Sequence, residues 1–450
     1  MINNKNIFIK QSRRDNTHAV QLTPHKATAA VWGEAHKATA AVWGKAHKAT
    51  AAVWGKAHKA TAAVWGKAHK ATAAVWGKAH KATAAVWGES CIILFLLLLC
   101  AACREHTGTP TPYDIPIPKG FPTILNIPAD NPMTVEGVEL GRMLFHDPHL
   151  CGYIGTEPDS LMSCATCHRQ ECNFDIGTDN PRFPDGRAKG RTTDKPTIHN
   201  VMPLMNLVFN HEGYFWNGLI SKDNPNPKQR TIEDIVLMAI TADDELCATT
   251  AGAVAAIKAD SQYPPLFRKA FGTEEITMER IQKAIAQYVR SLVAGSSKFD
   301  RYLRGEEQLT PQELHGYVLF TTEEGADCFH CHGSGGSPMF TTNLFYNNGL
   351  DAAPTDMHDR ASITGDPRDR GAYRAPSLRN VTKSAPYMHD GRFQTLDEVL
   401  EFYNEEVQNS PAVSPLMHHV NDGGVRLTPN EIADLKAFLE TLTDETTNGR

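Results

Sequence analysis

Apolar residues recur at helical spacing in five segments of the chain, at 137–145, 278–303, 310–320, 395–403 and 428–438. Apolar positions three and four residues apart form one face of an α-helix. Thr310 and Thr428 are each followed by Pro and, three positions later, by Glu, a pattern typical of a capped helix start. β-branched alternation is scarce, and Pro- and Gly-rich stretches separate the segments. The pattern predicts a mainly α fold, in which the long helical segment 278–303 joins two parts of the chain.

The first hundred residues have a different pattern. From His25 the block HKATAAVWGxA repeats six times with a period of 11 residues. Such a period is compatible with a long helix or a solenoid, but the copies are rich in Ala and lack the apolar residues that a packed core needs. We therefore interpret residues 1–90 as a low-complexity extension that is not part of the fold.

An apolar run, CIILFLLLLCAA, follows at 91–102. It is shorter than the roughly 20 residues that span a bilayer, and its length suits the hydrophobic part of a secretory signal. It ends in small residues before Cys103, the arrangement of a lipoprotein signal; an ordinary cleaved signal peptide or an uncleaved anchor is the alternative. Segment 91–103 therefore predicts export to the periplasm or cell envelope, with Cys103 as a lipid anchor.

Charge divides the chain at the same place. Residues 1–102 carry 14 Lys and Arg against 3 Asp and Glu, which leaves 31 basic and 48 acidic residues for the rest of the chain. An acidic body argues against nucleic-acid binding and suits cationic protein partners.

Four of the ten cysteines form two Cys-x-x-Cys-His strings, Cys164-Ala-Thr-Cys167-His168 and Cys328-Phe-His-Cys331-His332. Two thiols one helical turn apart can form thioethers to the two vinyl groups of one haem, and the next residue's imidazole then ligates the iron. Paired Cys-x-x-Cys units can also share a zinc ion, but that site does not require His directly after both pairs. The strings therefore predict two covalently bound haem c groups.

Each haem motif opens a helical region, so we predict two cytochrome c-like domains, at 118–300 and 301–446, each around one haem c. Cys151 and Cys172 flank the first motif, and a disulfide between them is one way to use them in an oxidising compartment. Spacing alone does not establish how Cys151, Cys172 and Cys247 pair.

Across nearly all of 134–443 the sequence resembles the bacterial di-haem cytochrome c peroxidases and the related MauG enzymes. The matching strings are LGRMLF at 140–145, SCATCH at 163–168, YFWNG at 214–218, APSLRNV at 375–381, PYMHDG at 386–391 and TLDEV at 395–399. The resemblance implies a peroxide-reacting haem in the N-terminal domain and an electron-entry haem in the C-terminal domain. It also implies hydrogen peroxide as substrate and a small donor such as a monohaem cytochrome c, and it admits a homodimer.

The resemblance assigns roles to two residues of the chain body. Trp216, the one Trp outside the repeats, matches the family's electron relay between the haems; a core aromatic is the alternative. Glu245 matches the distal glutamate that moves a proton between peroxide oxygens, and a solvated acidic cluster is the alternative. Ile235 and Ala239 stand where the family usually has Gln and Pro.

Haem ligation separates the branches of the family. The bacterial peroxidases have a distal His where this chain has Gly186, and His199 and His211 do not match that position, which implies an open position at the N-terminal haem. At the C-terminal haem the peroxidases use a Met where this chain has Tyr403, as MauG does. Tyr403 is therefore the predicted iron ligand, and Met388 or Met417 is the alternative.

The family also shares a calcium ion at the domain interface. Carried over to this chain, its ligands are Asp194, Ser384 and Pro386, with Asp in place of the usual Asn; oxygen ligands suit a hard cation.

Three functions follow from these features. The first is a peroxidase that draws electrons through the haem on His332, and the second is a MauG-like oxidase that uses peroxide to modify a protein side chain. The third is a non-catalytic di-haem electron carrier whose peroxide pocket has decayed, for which Ile235 and Ala239 are the hint.

Overall fold

The computed structural model describes residues 109–333 and 336–446, so the predictions for the repeats at 1–90, the signal at 91–103 and the anchor at Cys103 lie outside the described residues. Within the described ranges there are twelve α-helices and one two-stranded antiparallel ribbon, β1 Phe345–Tyr346 with β2 Tyr373–Arg374. The helices are α1 Val135–His146, α2 Cys164–Cys167, α3 Ile232–Thr241, α4 Thr250–Ala259, α5 Tyr263–Phe271, α6 Met278–Ser291, α7 Lys298–Leu303, α8 Pro311–Phe320, α9 Phe329–His332, α10 Ala361–Thr364, α11 Leu396–Glu401 and α12 Pro429–Glu440. The mainly α prediction is confirmed.

The predicted helix starts are confirmed at atomic detail. Thr310 Oγ1 accepts from the backbone N–H of Glu313, and the Glu313 carboxylate accepts in return from the backbone N–H of Thr310 at 2.7 Å. Thr428 and Glu431 form the same reciprocal pair at the start of α12. Because each pair satisfies backbone donors that the helix leaves unpaired, these two boundaries follow from local sequence.

Two helix crossings of the same kind build the two main apolar cores. Helix α1 crosses α6, and a Cβ added at Gly141 would lie 1.9 Å from the Ala284 carbonyl oxygen. Helix α8 crosses α12, and a Cβ added at Gly316 would lie 1.9 Å from the Asp434 carbonyl oxygen. Glycine is therefore needed at both crossings, because any side chain would separate the helix backbones.

Each crossing is surrounded by its own set of buried apolar side chains. The first set lies within 140–294 and includes Leu144, Phe145 and Ile285; the second lies within 299–442 and includes Phe320 and Phe438. Both α1 and α8 precede a Cys-x-x-Cys-His string in the sequence. Cys164 and Cys167 pack against the first set and Cys328 against the second, so each half brings its motif to its own apolar core.

The predicted long helix at 278–303 is wrong in one respect, because the structure divides it into α6 and α7. The chain leaves the helix after Ser291, and Ser297 caps α7 by accepting from the backbone N–H of Asp300. Between them the backbone N–H groups of Gly295 and Ser296 both donate to Asp444 Oδ2, at 2.9 and 2.8 Å. A distant carboxylate thus takes the donors that a continuous helix would have used internally.

A buried ion pair joins Asp300 of α7, just after this break, to Arg379 in the second half of the chain. Arg379 donates through both terminal nitrogens to the Asp300 carboxylate at 2.7 and 2.8 Å, and the two side chains are 2% and 6% exposed. The Arg379 guanidinium also lies 4.4 Å from the centre of the Phe121 ring. Nearby, the Asn380 side-chain amide donates to Asn173 Oδ1 at 2.9 Å, which ties the segment to the first motif's loop.

None of the helices within 109–333 and 336–446 combines the length and apolar character that crossing a bilayer requires.

Replacing Arg379 by Ala leaves Asp300 buried without its cationic partner, so we expect the free energy of unfolding to fall by about 3–5 kcal/mol. The matched control is Arg368→Ala, since Arg368 pairs with Asp366 while 89% exposed, and exposed pairs contribute only about 0–1 kcal/mol. Urea unfolding followed by circular dichroism measures both. A loss below about 1 kcal/mol for Arg379→Ala would contradict the role of this pair.

Candidate haem and peroxide site

The first motif is held by a short helix and a main-chain carbonyl. Ser163 and Thr166 cap α2, which carries Cys164 and Cys167 one turn apart. His168 follows directly, and its Nδ1 lies 2.7 Å from the Phe174 carbonyl oxygen. A carbonyl only accepts, so Nδ1 carries the proton and the lone pair of Nε2 is left for a metal. Burial lowers the pKa of His168 to about 4, which keeps the imidazole neutral, as a metal ligand must be.

The second motif has the same arrangement. Cys328 precedes α9, and His332 Nδ1 lies 3.1 Å from the Pro376 carbonyl oxygen. Burial again lowers the pKa of the imidazole to about 4. In both halves the peptide chain thus fixes the tautomer and the direction of the motif histidine.

A largely apolar cavity lies against the second motif. Cys328, Cys331 and His332 line it on one side. The remaining wall is mainly apolar and includes Leu378, Leu396, Val399, Leu400 and Leu439. Two thiols and a neutral imidazole facing an apolar cavity fit a haem c, which needs two thioether links, one axial nitrogen and contact with hydrocarbon.

Both predicted candidates for the second axial ligand line this cavity. Tyr403 lies in the π-helical turn Phe402–Glu406, and Met388 lies in the loop before α11. The side-chain amide of Asn348 donates to Tyr403 Oη at 2.9 Å and lies 3.9 Å from Met388 Sδ. The third alternative, Met417, also lines the cavity. The choice among these ligands stays open, with Tyr403 as the prediction.

Trp216 forms part of the same cavity wall and is 8% exposed. Its indole N–H donates to the Asn200 carbonyl at 2.9 Å, and its own carbonyl accepts from the backbone N–H of Arg374 at 2.7 Å. Asn200 belongs to the first half of the chain and Arg374, which also lines the cavity, belongs to the second. Both halves therefore hold Trp216 in place. It is well placed to contact a group bound at the second motif, while its relay role stays a prediction.

Glu245 lies in the turn after α3 and close to the cysteines of the first motif. Burial raises the pKa of its carboxyl group to about 7, and the neighbouring Asp244 contributes. Burial also raises the pKa of Cys164 to about 12, and the Glu245 charge is the second cause of that shift. The Glu245 charge therefore acts on the thiols of the first motif, while its role towards a haem bound there stays a prediction.

Two residues that differ from those usual in the family, Ile235 and Ala239, lie in helix α3 just before the turn that carries Glu245. Ile235 packs against the first apolar core, and the Ala239 carbonyl accepts from the backbone N–H of Leu246 at 3.2 Å. Arg191 adds a hydrogen bond from its backbone N–H to the Glu245 carbonyl at 2.8 Å. Main-chain contacts therefore hold the turn without the residues that the family usually has there.

Gly186 has a φ of +71°, and a Cβ there would lie 3.5 Å from Pro386 Cγ. The next two histidines along the chain have partners of their own. His199 Nε2 lies 2.7 Å from Asp356 Oδ2, and His211 Nε2 lies 3.2 Å from the Ile124 carbonyl. The open position at the N-terminal haem stays a prediction.

The predicted calcium ligands have ordinary protein contacts. The Pro386 carbonyl accepts from the Asn200 amide at 2.6 Å, and Ser384 Oγ donates to the Val381 carbonyl at 3.3 Å. Asp194 is exposed, and within the described ranges no hydrogen bond joins it to Ser384 or Pro386. The calcium site stays a prediction.

The disulfide considered between Cys151 and Cys172 does not form, since both thiols are free. Cys151 is buried, and its Sγ donates to the Pro148 carbonyl at 3.0 Å. Cys172 instead lies beside Gly177, where an added Cβ would be 2.5 Å from its sulfur. Cys247 is also free.

A polar network that the sequence analysis did not predict lies beside the second cavity. Tyr373 Oη donates to Asp356 Oδ2 at 2.7 Å, and its ring stacks on His389 with centroids 3.7 Å apart. Against the opposing effect of burial, hydrogen bonds from Tyr373 and His199 lower the pKa of Asp356 to about 2. Tyr373 lies just before Arg374 and the APSLRNV string, and this position was the one indication of the network that the sequence contained.

Comparison with known proteins agrees with this geometry. Residues 135–308 match the model of the di-haem cytochrome c peroxidase family. The chain is 30% identical over 323 residues to the methylamine utilization protein MauG of Methylophilus methylotrophus, covering 71% of this chain and 86% of that protein. It is likewise 30% identical to the cytochrome c551 peroxidase of Nitrosomonas europaea, covering 71% and 83%.

Solved structures give the same result. A MauG-like protein associated with microbial copper homeostasis is 35% identical, with a TM-score of 0.63, covering 75% of this chain and 97% of that one. The di-haem peroxidase BthA of Burkholderia thailandensis has the same fold, with a TM-score of 0.55 at 22% identity, covering 71% and 88%.

The raised pKa of Glu245 predicts a pH dependence of stability. The folded state keeps this proton up to pH about 7, whereas an unfolded glutamate releases it near 4.3. The stabilisation from the protonated Glu245 is therefore fully present below pH about 4.3 and is lost as pH rises through 7, by about 4 kcal/mol in all. Glu245→Gln should remove this dependence, measured as the difference in unfolding free energy between the two proteins across pH 4–8.

The control is Glu139→Gln, at an exposed position of α1; because the pKa of Glu139 is lowered by its hydrogen bond to Arg142, this variant should leave the loss of stability towards pH about 7 unchanged. A wild-type curve parallel to that of Glu245→Gln over the whole range would contradict the raised pKa.

Proposed function

Because the chain belongs to the family of di-haem cytochrome c peroxidases and MauG enzymes, we propose that it reduces hydrogen peroxide to water with electrons from a small c-type cytochrome or a similar donor. The observation that carries this proposal is the Glu245 carboxyl group, which lies near the first motif's cysteines with a pKa raised to about 7. A group that titrates near neutral pH both accepts and returns a proton under working conditions.

The residues that hold the cofactors follow from the two motifs. Cys164 and Cys167 bind one haem c with His168 as its axial ligand, in an N-terminal domain of residues 118–300. Cys328, Cys331 and His332 do the same in a C-terminal domain of residues 301–446. Bound haem supplies the iron at which peroxide reacts and at which electrons are stored. The neutral motif histidines and the apolar cavity at the second motif support this assignment.

The overall reaction consumes one peroxide, two electrons and two protons and releases two water molecules. In this scheme Glu245 accepts a proton from one peroxide oxygen and returns it to the other, departing oxygen, so that water leaves rather than hydroxide. The partly buried turn keeps bulk water from competing with the carboxylate for this proton. The same burial that raises the pKa of Glu245 thus suits it to the transfer.

Electrons reach this site from the C-terminal half by way of Trp216. The indole is buried and fixed at both its N–H and its backbone, which limits the reorganisation that accompanies electron transfer. The acidic body of the chain suits a cationic donor, as the excess of Asp and Glu after residue 102 indicates.

Two further assignments belong to this proposal. Tyr403 is the second axial ligand on the His332 side, with Met388 as the alternative, and Asp194 with the Ser384 and Pro386 carbonyls holds a calcium ion. Covalent haem attachment takes place outside the cytoplasm, so the protein is exported to the periplasm or cell envelope. Cys103 then anchors it to a membrane through lipid.

A second function, oxidation of a protein side chain with peroxide, has its own support. The tyrosine at position 403 lines the His332 cavity, and the similarity to MauG and to a MauG-like protein is as strong as that to the peroxidases. The two functions differ in whether a cytochrome donor or a protein side chain supplies the electrons.

Haem attachment is tested by removing the thiols of one motif. The double variant Cys164→Ser, Cys167→Ser should contain one covalent haem per chain instead of two, because the thioether links of the first haem are lost. Intact mass spectrometry and the pyridine haemochrome spectrum measure this. Cys151→Ser, whose thiol bonds only to main-chain carbonyls, is the control and should keep both haems; two haems in the double variant would contradict the assignment.

The function is tested by peroxide consumption with a reduced monohaem cytochrome c as donor. Glu245→Gln keeps the shape of the side chain and cannot take up the proton, so we expect kcat to fall about 10²-fold or more. The control is Glu139→Gln, on the exposed face of α1, which should retain full activity.

Two results of this assay would overturn the proposal. A kcat within a factor of about three of wild type for Glu245→Gln would exclude the proton-transfer role, since general acid–base groups contribute about 10²-fold or more. No oxidation of the donor, together with peroxide-dependent oxidation of an added protein, would favour the second function.

A further inference from the structure

We propose that the protein binds one divalent transition-metal ion, separate from its haem sites, through Glu323, His330 and His418. Ligand atoms of these three side chains lie within 4.8 Å of one another. They come from three segments, namely the loop after α8, helix α9 and the loop before α12. None of the three has a role in the peroxidase scheme above.

A shared carboxylate orients the two imidazoles. Asp327 Oδ1 lies 2.7 Å from His330 Nδ1, and Asp327 Oδ2 lies 3.0 Å from His418 Nδ1. Since a carboxylate accepts, both Nδ1 atoms carry the proton and both Nε2 lone pairs are free. Metal-binding histidines are commonly held in this way by an outer carboxylate. The Asp327 side chain is 6% exposed, so it is rigidly placed for the task.

The third ligand is close to its required position. Glu323 Oε1 lies 3.7 Å from His330 Nε2, and two ligands of a tetrahedral Zn²⁺ at about 2.0–2.1 Å from the metal are separated by roughly 3.4 Å. The Glu323 side chain is 62% exposed, so it is free to close this gap. The two imidazole rings are nearly perpendicular, with centroids 5.0 Å apart.

The donor set indicates the class of metal. Two imidazole nitrogens and one carboxylate oxygen suit Zn²⁺ and neighbouring divalent ions such as Cu²⁺, whereas Mg²⁺ and Ca²⁺ prefer oxygen alone. Three protein ligands leave a fourth position for water.

The site lies at the edge of the His332 cavity. Asp327 and His418 both line that cavity, as does Met417. The adjacent His419 Nε2 lies 2.8 Å from the Glu323 carbonyl oxygen, which already brings the two loops together. A bound ion would join helix α9 to the loop at 414–420 and so hold that loop against the cavity.

The test uses the purified haem-containing protein, stripped with a chelator and dialysed, with Cys172 and Cys247 alkylated so that free thiols do not bind metal. Zn²⁺ is titrated in a calorimeter, and bound zinc is counted by elemental analysis after equilibrium dialysis. We expect one Zn²⁺ per chain in the wild type. His418→Ala should weaken this binding at least 100-fold, and Asp327→Asn about 10–100-fold.

The matched control is His315→Ala, because His315 Nδ1 also lies 2.7 Å from a carboxylate, that of Asp434, but forms no such group of three with other residues of 109–333 and 336–446. It should bind zinc as the wild type does. Zn²⁺ should also raise the Tm of the wild type and of His315→Ala, but not that of His418→Ala, since a ligand stabilises the folded state that binds it.

The haemochrome spectrum checks that every variant keeps its haems. No stoichiometric Zn²⁺ binding by the wild type, or equal binding by the wild type and His418→Ala, would overturn the proposal.

Discussion

The hydrogen bond from His332 Nδ1 to the Pro376 carbonyl is the interaction on which the C-terminal site depends, because it directs the iron-binding nitrogen into the cavity. Pro376 lies in a segment, 374–380, that holds several other parts together. The backbone N–H of Arg374 donates to the Trp216 carbonyl, and Arg379 forms the buried ion pair with Asp300. The side-chain amide of Asn380 donates to Asn173. One stretch of backbone thus positions the motif histidine, the indole and the junction between the halves.

Both halves hold their motif histidine in the same way, but the residues around the two motifs differ. Each motif histidine is neutral and is fixed by a main-chain carbonyl, and at least one cysteine of each motif packs against a separate apolar core. The surroundings then differ, because a carboxyl group with a raised pKa lies near the first motif, while Tyr403 and Met388 face the second. This asymmetry is the physical basis for assigning peroxide chemistry to one half and electron entry to the other.

The sequence predicted what depends on local pattern, such as the capped starts of helices α8 and α12. It failed where distant groups decide the structure. The break between α6 and α7 depends on Asp444, and the carbonyls that hold the motif histidines belong to Phe174 and Pro376. Main-chain acceptors leave no residue-specific signal. The network around Tyr373 and the group of Glu323, His330 and His418 likewise form only when separate loops meet.

The most direct test of the central claim is rapid mixing of the fully ferric haem-containing protein with one equivalent of hydrogen peroxide, followed by absorbance. If the His168 side is open to peroxide at rest, the spectrum should change quickly without any reductant. A reaction that begins only after one haem has been reduced would contradict the account, because it would mean that another ligand occupies the peroxide position in the resting protein.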